Sequence, residues 1–396
     1  VGRARHRGLG NAQRLRERAP RPGVAFGRLR AETGRDARRL PGVEQHHRRL
    51  PGIAVEDLAA RVQKRDRRFA ALVQRAPQLG ERSHAVTAAG AKVAFGETGE
   101  DGKQPLREEV AHSVFDSNTV IRLQTDEGII SISLRDYLRG VLAAEMPVTF
   151  EPEALKAQAA TARTYALYRV DRGGVHEGAD VCTDYSHCSA YVSDELLREK
   201  WAGEYEEKAA RIQTAVDETD GIVIKYGSEL IDAVFHSTSS GRTEAAVDVW
   251  GTERPYLQSV PSRGEESAPR FSGSVEIPTG ELRELLLGVI PLADLSVPVS
   301  QWFSDVVRSE AGSVKSIAVG GETVSGREIR ALLGLNSANF TVTAGESKFI
   351  FTTVGYGHGV GMSQYGANYM AKTGSTYIEI LEHYYSGVTV ESYAAP

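Results

Sequence analysis

The stretch Ser133-Leu134-Arg135-Asp136-Tyr137-Leu138-Arg139-Gly140-Val141-Leu142-Ala143-Ala144-Glu145-Met146-Pro147 spells out a helix together with its start and its stop. Ser133 can accept a hydrogen bond from a first-turn amide and Pro147 cannot extend a helix, so the pattern predicts a helix over residues 134–145. A second helix is predicted to open with Pro152 in its first turn and to run to about Val170. Leu155, Ala159, Ala162 and Ala166 share one of its faces, which predicts packing against a core. Lys156 and Arg163, seven residues apart, fall on a stripe at the edge of that face. Just upstream, residues 119–123 and 129–133 are β-branched runs separated by Asp126-Glu127-Gly128, the pattern of a hairpin.

Downstream, residues 222–226 and 230–235 flank Gly227-Ser228 and predict a second hairpin, which runs into a small-residue loop over 237–241. Residues 270–345 mix strands with a helix predicted over 326–335. A Gly-rich loop at 355–361 precedes helices over 364–372 and near 378–385. No internal repeat is visible. Hairpins followed by helices argue for an α+β fold and against a doubly wound parallel sheet.

Composition agrees with a globular chain: 396 residues, 41% hydrophobic and 25% charged. No apolar run approaches the ~18 residues a membrane-spanning helix needs. The net charge of −5 conceals two unlike segments. Residues 1–84 hold 20 Arg and 1 Lys against 8 acidic residues, so the rest of the chain is strongly acidic. That basic segment reads as a disordered extension, or as sequence upstream of the true start, with a short helix over 55–73 where Leu58, Val62, Phe69 and Val73 fall near helical spacing. Nucleic acid is not expected as a partner, because no aromatic interleaving or known module accompanies the charge. Residues 85–118 read as a linker and 119–392 as the ordered domain, expected to form two lobes with a cleft between them. No secretion signal is visible, since no apolar segment follows the first basic residues.

Four constellations could carry chemistry. His176, Cys182, His187 and Cys188 place both cysteines and two histidines within thirteen residues. Such a set suits zinc, and four protein ligands would make the site structural and not hydrolytic. A Cys182–Cys188 disulfide or a pair of inert thiols are the alternatives. Glu145, at a helix C-terminus among apolar neighbours, is placed where its pKa should rise toward that of a general acid. The alternative there is an ordinary solvent-facing glutamate. The loop Gly355-Tyr356-Gly357-His358-Gly359-Val360-Gly361-Met362-Ser363-Gln364-Tyr365-Gly366-Ala367 lets a ligand approach the backbone, with polar groups and a stacking face suited to a sugar. It matches neither a dinucleotide fingerprint nor a Walker loop, and a tight structural turn remains open. Lastly, His236-Ser237-Thr238-Ser239-Ser240-Gly241-Arg242-Thr243 could supply a serine nucleophile, with His236 or His358 as base, but it has no nucleophile-elbow pattern.

Taken together, these stretches resemble the sporulation stage II protein D family, also called the SpoIID/LytB domain. The resemblance rests on residues 136–147, on Glu153-Ala154-Leu155-Lys156-Ala157-Gln158-Ala159-Ala160-Thr161-Ala162-Arg163-Thr164-Tyr165-Ala166, and on Ser237 to Thr243. It continues through Pro255-Tyr256-Leu257, Val324-Ser325-Gly326-Arg327-Glu328, the 357–367 loop and Ile380-Leu381-Glu382-His383-Tyr384-Tyr385, covering about 119–392. It implies a peptidoglycan lytic transglycosylase in which Glu145 is the acid/base and Arg163 is a further activity-linked position. It also implies a structural zinc on His176, Cys182, His187 and Cys188. One carboxyl group suffices for such an enzyme: it protonates the glycosidic oxygen, then takes the proton of the sugar's own C6 hydroxyl, so no second carboxylate activates water. Glycan contacts are expected from Lys156, Gln158, Arg163, Ser237, Ser239, His358, Ser363, Gln364 and Tyr365. The implied location is the cell envelope, the implied partners are glycan strands and a cell-wall amidase, and the implied setting is sporulation or wall remodelling. A non-catalytic glycan-binding modifier of wall hydrolases and a zinc amidase are the competing readings.

Overall fold

The computed structural model of the chain describes residues 114–174 and 176–393. The expected basic extension, the 55–73 helix and most of the expected linker lie outside them.

Within the described residues, structure begins earlier than the sequence predicts. Phe115–Asn118 (α1) forms a helical turn inside the stretch read as linker, and Asp116 within it is 1% exposed. The hairpin follows as Val120–Thr125 (β1) and Gly128–Ser133 (β2), in register from Val120↔Ser133 to Thr125↔Gly128. Leu134–Glu145 (α2) starts where expected, with the Ser133 hydroxyl accepting the Asp136 N–H at 3.1 Å.

Pro152–Asp171 (α3) departs from expectation in one respect. It buries almost its whole circumference, so Arg163 is not at the edge of an apolar face but inside the core, 0% exposed. Alanine at six helix positions lets neighbours close in from every side, and a helix with no polar face has no edge. Arg163 donates from Nε to Asp116 Oδ1 at 2.7 Å and from Nη1 to the Ile222 carbonyl at 3.1 Å. The counter-charge that makes this burial tolerable comes from α1, outside the segment read as ordered.

Val181–Cys182 (β3) then runs parallel to β1. Asp194–Trp201 (α4) and Tyr205–Asp217 (α5), neither anticipated, follow, and α5 packs against α3. Ile222–Tyr226 (β4) pairs as predicted with Glu229–Leu230 (β5), but the second predicted strand breaks. Asp232 turns to pair with Arg169 at 3.0 Å, and the chain re-forms as Phe235–His236 (β6) in a different sheet. A short helix, Ala246–Trp250 (α6), closes this half.

Residues 272–354 build a second hydrophobic core of their own. Ser272–Pro278 (β7) is followed by Thr279–Val289 (α7), a helix the sequence did not predict. Phe303–Arg308 (β8), Val314–Val319 (β9) and Glu322–Ser325 (β10) form one sheet. Gly326–Leu333 (α8) starts on a Ser325/Glu328 capping box and ends two residues short of its predicted limit, at Gly334 with φ +62°. Phe340–Ala344 (β11) and Lys348–Val354 (β12) complete a sheet with β7, in the order β11-β12-β7. Leu282, Leu286, Trp302, Ile329, Phe349 and Phe351 fill this core.

The chain then re-enters the first core. Met362–Ser363 (β13) pairs in parallel with β6, and Gln364–Lys372 (α9) and Tyr377–Tyr384 (α10) pack on α3. Thr389–Ser392 (β14) adds to β4. The α+β class holds throughout. No helix among the described residues is long and apolar enough to cross a membrane.

Candidate functional site

Glu145 is the last residue of α2, where the helix gives way to buried Met146 and then Pro147. The half-buried carboxyl meets two donors. The backbone N–H of Ala190 reaches its Oε1 at 2.6 Å, and the side-chain amide of Gln364, the first residue of α9, donates to it as well. Burial pushes the Glu145 pKa up to about 7, and the two donors hold it from rising further. It is therefore partly protonated at neutral pH, as a proton donor must be.

This shift also has a consequence for stability. The folded state binds the proton more tightly than the unfolded chain, whose carboxyl titrates near 4.5. The folded state is thus penalised as pH rises from about 4.5 to about 7, and above that the penalty stays constant. Glu145→Gln removes the penalty, so it should stabilise the protein by about 2–3 kcal/mol at pH 8 and leave it unchanged at pH 4. Thermal unfolding of both chains at the two pH values checks this.

The 357–367 loop and the 237–243 loop lie side by side, joined by the β6–β13 pairing and by the Tyr365 N–H donating to the Ser237 carbonyl at 3.1 Å. Gly361 has φ +73°, and a Cβ there would stand 2.1 Å from the Val234 carbonyl oxygen, so only glycine allows this approach. The residues expected to touch glycan are not placed alike. Tyr365 is half-buried, its ring edge-on to Phe150 at 5.0 Å, and Ser237 is half-buried beside it in the neighbouring loop. Lys156 is braced between Glu153 at 2.8 Å and Glu218 at 2.6 Å.

Five of the expected contacts lie beneath the surface. Gln158 and Ser363 are fully buried, Ser239 is 2% exposed, and Arg163 is locked to Asp116. In this fold they support the site from behind. Gln364 is 4% exposed and links Gln158 to Glu145, its Nε2 lying 3.4 Å from Gln158 Oε1.

The serine-nucleophile pattern finds no support in the geometry. His236 Nδ1 faces the Val360 carbonyl at 3.2 Å, and among the described residues no hydrogen bond joins Ser237 or Ser239 to His236 or His358. Burial lowers the pKa of His236 to about 4 and that of His358 to about 3, so both rings are neutral at pH 7. His358 packs against Trp250 at 5.3 Å.

His176, Cys182, His187 and Cys188 converge, with one ligand atom from each lying within 4.8 Å of the others. His187 Nδ1 is 3.6 Å from the Cys182 sulfur and 3.5 Å from the Cys188 sulfur. Bond lengths of about 2.0–2.3 Å to a tetrahedral ion place ligands about 3.3–3.8 Å apart, so the set fits a metal such as zinc. Buried His176 Nε2 has no hydrogen-bond partner, as expected of a nitrogen reserved for an ion. Both cysteines are free, so the disulfide alternative does not hold. Burial pushes the Cys182 thiol up to about 11, so loading a metal must release its proton. Cys188 precedes Ala190 by two residues, and the loop that could hold the ion therefore also delivers the amide to Glu145.

Three contributors were missed from sequence: Asp116, the Ala190 amide and Glu265. The first lay in apparent linker, the second is a backbone group, and the third sits in Ser262-Arg263-Gly264-Glu265 between recognisable motifs.

A mixed α+β scaffold presents one half-buried carboxyl group between two amide donors, beside a four-ligand cluster. The family profile described as Stage II sporulation protein matches residues 124–226. Stage II sporulation protein D of Bacillus subtilis (strain 168) is 36% identical over 268 residues, covering 67% of this chain and 76% of the relative. The Bacillus amyloliquefaciens protein of the same name is 35% identical over the same length. A Bacillus subtilis protein named amidase enhancer is 29% identical over 313 residues, 65% of this chain and 40% of its own. The chain belongs to the stage II sporulation protein D family.

Proposed function

We propose that the protein is a peptidoglycan lytic transglycosylase of the cell envelope, acting in sporulation or wall remodelling, with Glu145 as acid and then base. The observation that carries this reading is a single carboxyl with a pKa of about 7 whose polar partners are both donors. Protonated Glu145 gives its proton to the bridging oxygen between N-acetylmuramic acid and N-acetylglucosamine. The resulting carboxylate, stabilised by the Ala190 and Gln364 N–H groups, then takes the proton of the C6 hydroxyl as that oxygen closes on C1. The proton count balances without an attacking water. Tyr365 and Ser237 offer a stacking face and a hydroxyl to the strand, with His358 bordering it. The relatives' names, a sporulation protein and an amidase enhancer, agree with a wall substrate and with an amidase as partner.

Mass spectrometry of purified glycan strands, with and without peptide stems, tests the reaction. Ends in 1,6-anhydromuramic acid are expected, whereas reducing ends would mean hydrolysis. Since the reactive form is the protonated one, kcat/KM should fall as pH rises through about 7. A second reading, a non-catalytic glycan-binding modifier of wall hydrolases, is favoured by the amidase enhancer relative. Binding without cleavage would select it.

The metal-ligand cluster is proposed as a structural zinc site. Zinc bound there would cross-link the 176–188 loop and, with four protein ligands, leave no position for a water. Cys182→Ser should abolish stoichiometric zinc, measured by elemental analysis, and lower the melting temperature. Cleavage should be lost only as the loop loosens, whereas an amidase would lose activity at once on chelation and regain it with zinc.

A further inference from the structure

Glu265 belongs to none of the stretches that carry the family resemblance, yet two of them meet on its carboxylate. It is 1% exposed. Ser239 donates its backbone N–H to Oε2 and its hydroxyl to Oε1, both at 2.7 Å. Ser363 donates to Oε2 at 2.6 Å, and Ser262 donates to Oε1. Four donors thus serve two oxygens, the arrangement that lets a carboxylate stay buried without a cation beside it. Burial pushes the Glu265 pKa up and these donors oppose the rise. Tyr384, 2.7 Å from the Ser262 hydroxyl, is the titratable group facing it.

The grip falls on the start of α9. The Ser363 hydroxyl that donates to Glu265 also caps this helix, accepting the Gly366 N–H at 3.3 Å. A Cβ on Gly366 would stand 2.4 Å from the Ser262 hydroxyl and 2.9 Å from Glu265 Oε1, so the first turn is seated directly on the carboxylate. Gln364 is in that turn, and its amide is what reaches Glu145.

We propose that Glu265 is a positioning residue for Glu145: by holding Ser363 it fixes the first turn of α9 and so aims the Gln364 amide at the acid. The proposal rests on the reading of Glu145 as the proton donor, but its direct test needs no turnover. A donor to the ionised form lowers a carboxyl pKa, so releasing Gln364 leaves burial less opposed and Glu145 should titrate higher. The groups facing Glu145 are the Ala190 amide, the Gln364 amide and, from its own helix, Tyr137, whose pKa burial raises well above the usual phenol range. None of these titrates near neutrality, so a change in the Glu145 titration reports on Gln364.

The experiment is a carboxyl-carbon NMR titration of the full chain, with the Glu145 resonance assigned by its loss in Glu145→Gln. In Glu265→Gln and in Ser363→Ala, Glu145 should titrate about one pH unit higher, the loss of one hydrogen bond to a charged group. The double variant should move it no further, because both changes cut the same link. Ser262→Ala, which removes a donor to the same carboxylate but leaves the Ser363 cap of α9 in place, should lower the melting temperature and leave the titration in place. In turnover, kcat should fall in Glu265→Gln and Ser363→Ala with KM little changed, and the alkaline limb should move up with the titration. An unmoved Glu145 titration in folded Glu265→Gln or Ser363→Ala overturns the proposal, however much stability is lost. Should Glu265→Gln not fold, Ser363→Ala decides, since it keeps Glu265. A wild-type chain that cleaves no glycan would overturn the transglycosylase reading, while the titration still judges this one.

Discussion

Replacing Glu145 by glutamine should lower the rate of glycan cleavage by about 10²–10⁴, the span that a positioned general acid contributes. Glutamine has the same shape, and its carbonyl oxygen can still accept the Ala190 N–H that now lies 2.6 Å from the carboxyl. Fold and glycan affinity should therefore persist, and the melting temperature at pH 8 should rise, because the strained ionised carboxyl is gone. Lost chemistry paired with gained stability separates a catalytic acid from a structural one. A variant that loses both would indicate that Glu145 merely ties α2 to the 176–190 loop. A variant that still cleaves at more than a tenth of the normal rate would remove Glu145 from the mechanism.

Replacing Arg163 by alanine should cost about 3–5 kcal/mol, because it strands the Asp116 carboxylate in the core. For an ordered region of this size that corresponds to a fall in melting temperature on the order of 10 °C. Asp116→Ala should do comparable damage from the other side, leaving a guanidinium with 0% exposed surface uncompensated. The double variant with apolar residues of similar volume, Arg163→Met with Asp116→Leu, should recover much of the loss, since it removes both charges together. Thermal unfolding of the three chains measures this cycle. The family resemblance links Arg163 to activity, and the ion pair supplies a route: α3 carries Gln158, which touches Gln364 behind Glu145. If Arg163→Ala melted like the wild type and only raised KM, a glycan contact would be the better account.

Much of this architecture can be read locally. The helix over 134–145 was legible because its cap and its stop both lie in sequence, at Ser133 and Pro147. Glu145 was legible as a candidate, an acid at an apolar helix end, and the histidine–cysteine cluster as both cysteines and two histidines within thirteen residues, with zinc implied by the family resemblance. What stayed hidden depends on long-range partners. The hairpin after Gly227 breaks because Asp232 has Arg169 to meet and β6 has β13, and nothing near residue 230 announces either. Arg163 was placed at the edge of the core face because its partner lies 47 positions upstream in a stretch of linker-like composition. Ser239 and Ser363 looked like sugar ligands because hydroxyls in glycine-rich loops have that chemistry, and only the fold shows Glu265 taking their donors.

Residues 272–354 leave the first core and return to it at one point. Ser272 and Val354 are register partners, and the Gly355 N–H donates to the Phe271 carbonyl at 2.7 Å. Such a segment behaves as a plug-in: its ends are already side by side, so descent can lengthen, trim or exchange it without shifting the loops that flank it. What any replacement inherits is a set of docking obligations: the Ala311 carbonyl that accepts from Ser240, the Asn336 carbonyl that accepts from Gly357, the Ser313 N–H that donates to Glu244, and the ion pairs Arg242–Glu310 and Lys315–Asp248. The segment open to such exchange is separate in sequence from Glu145 and from the loops beside it.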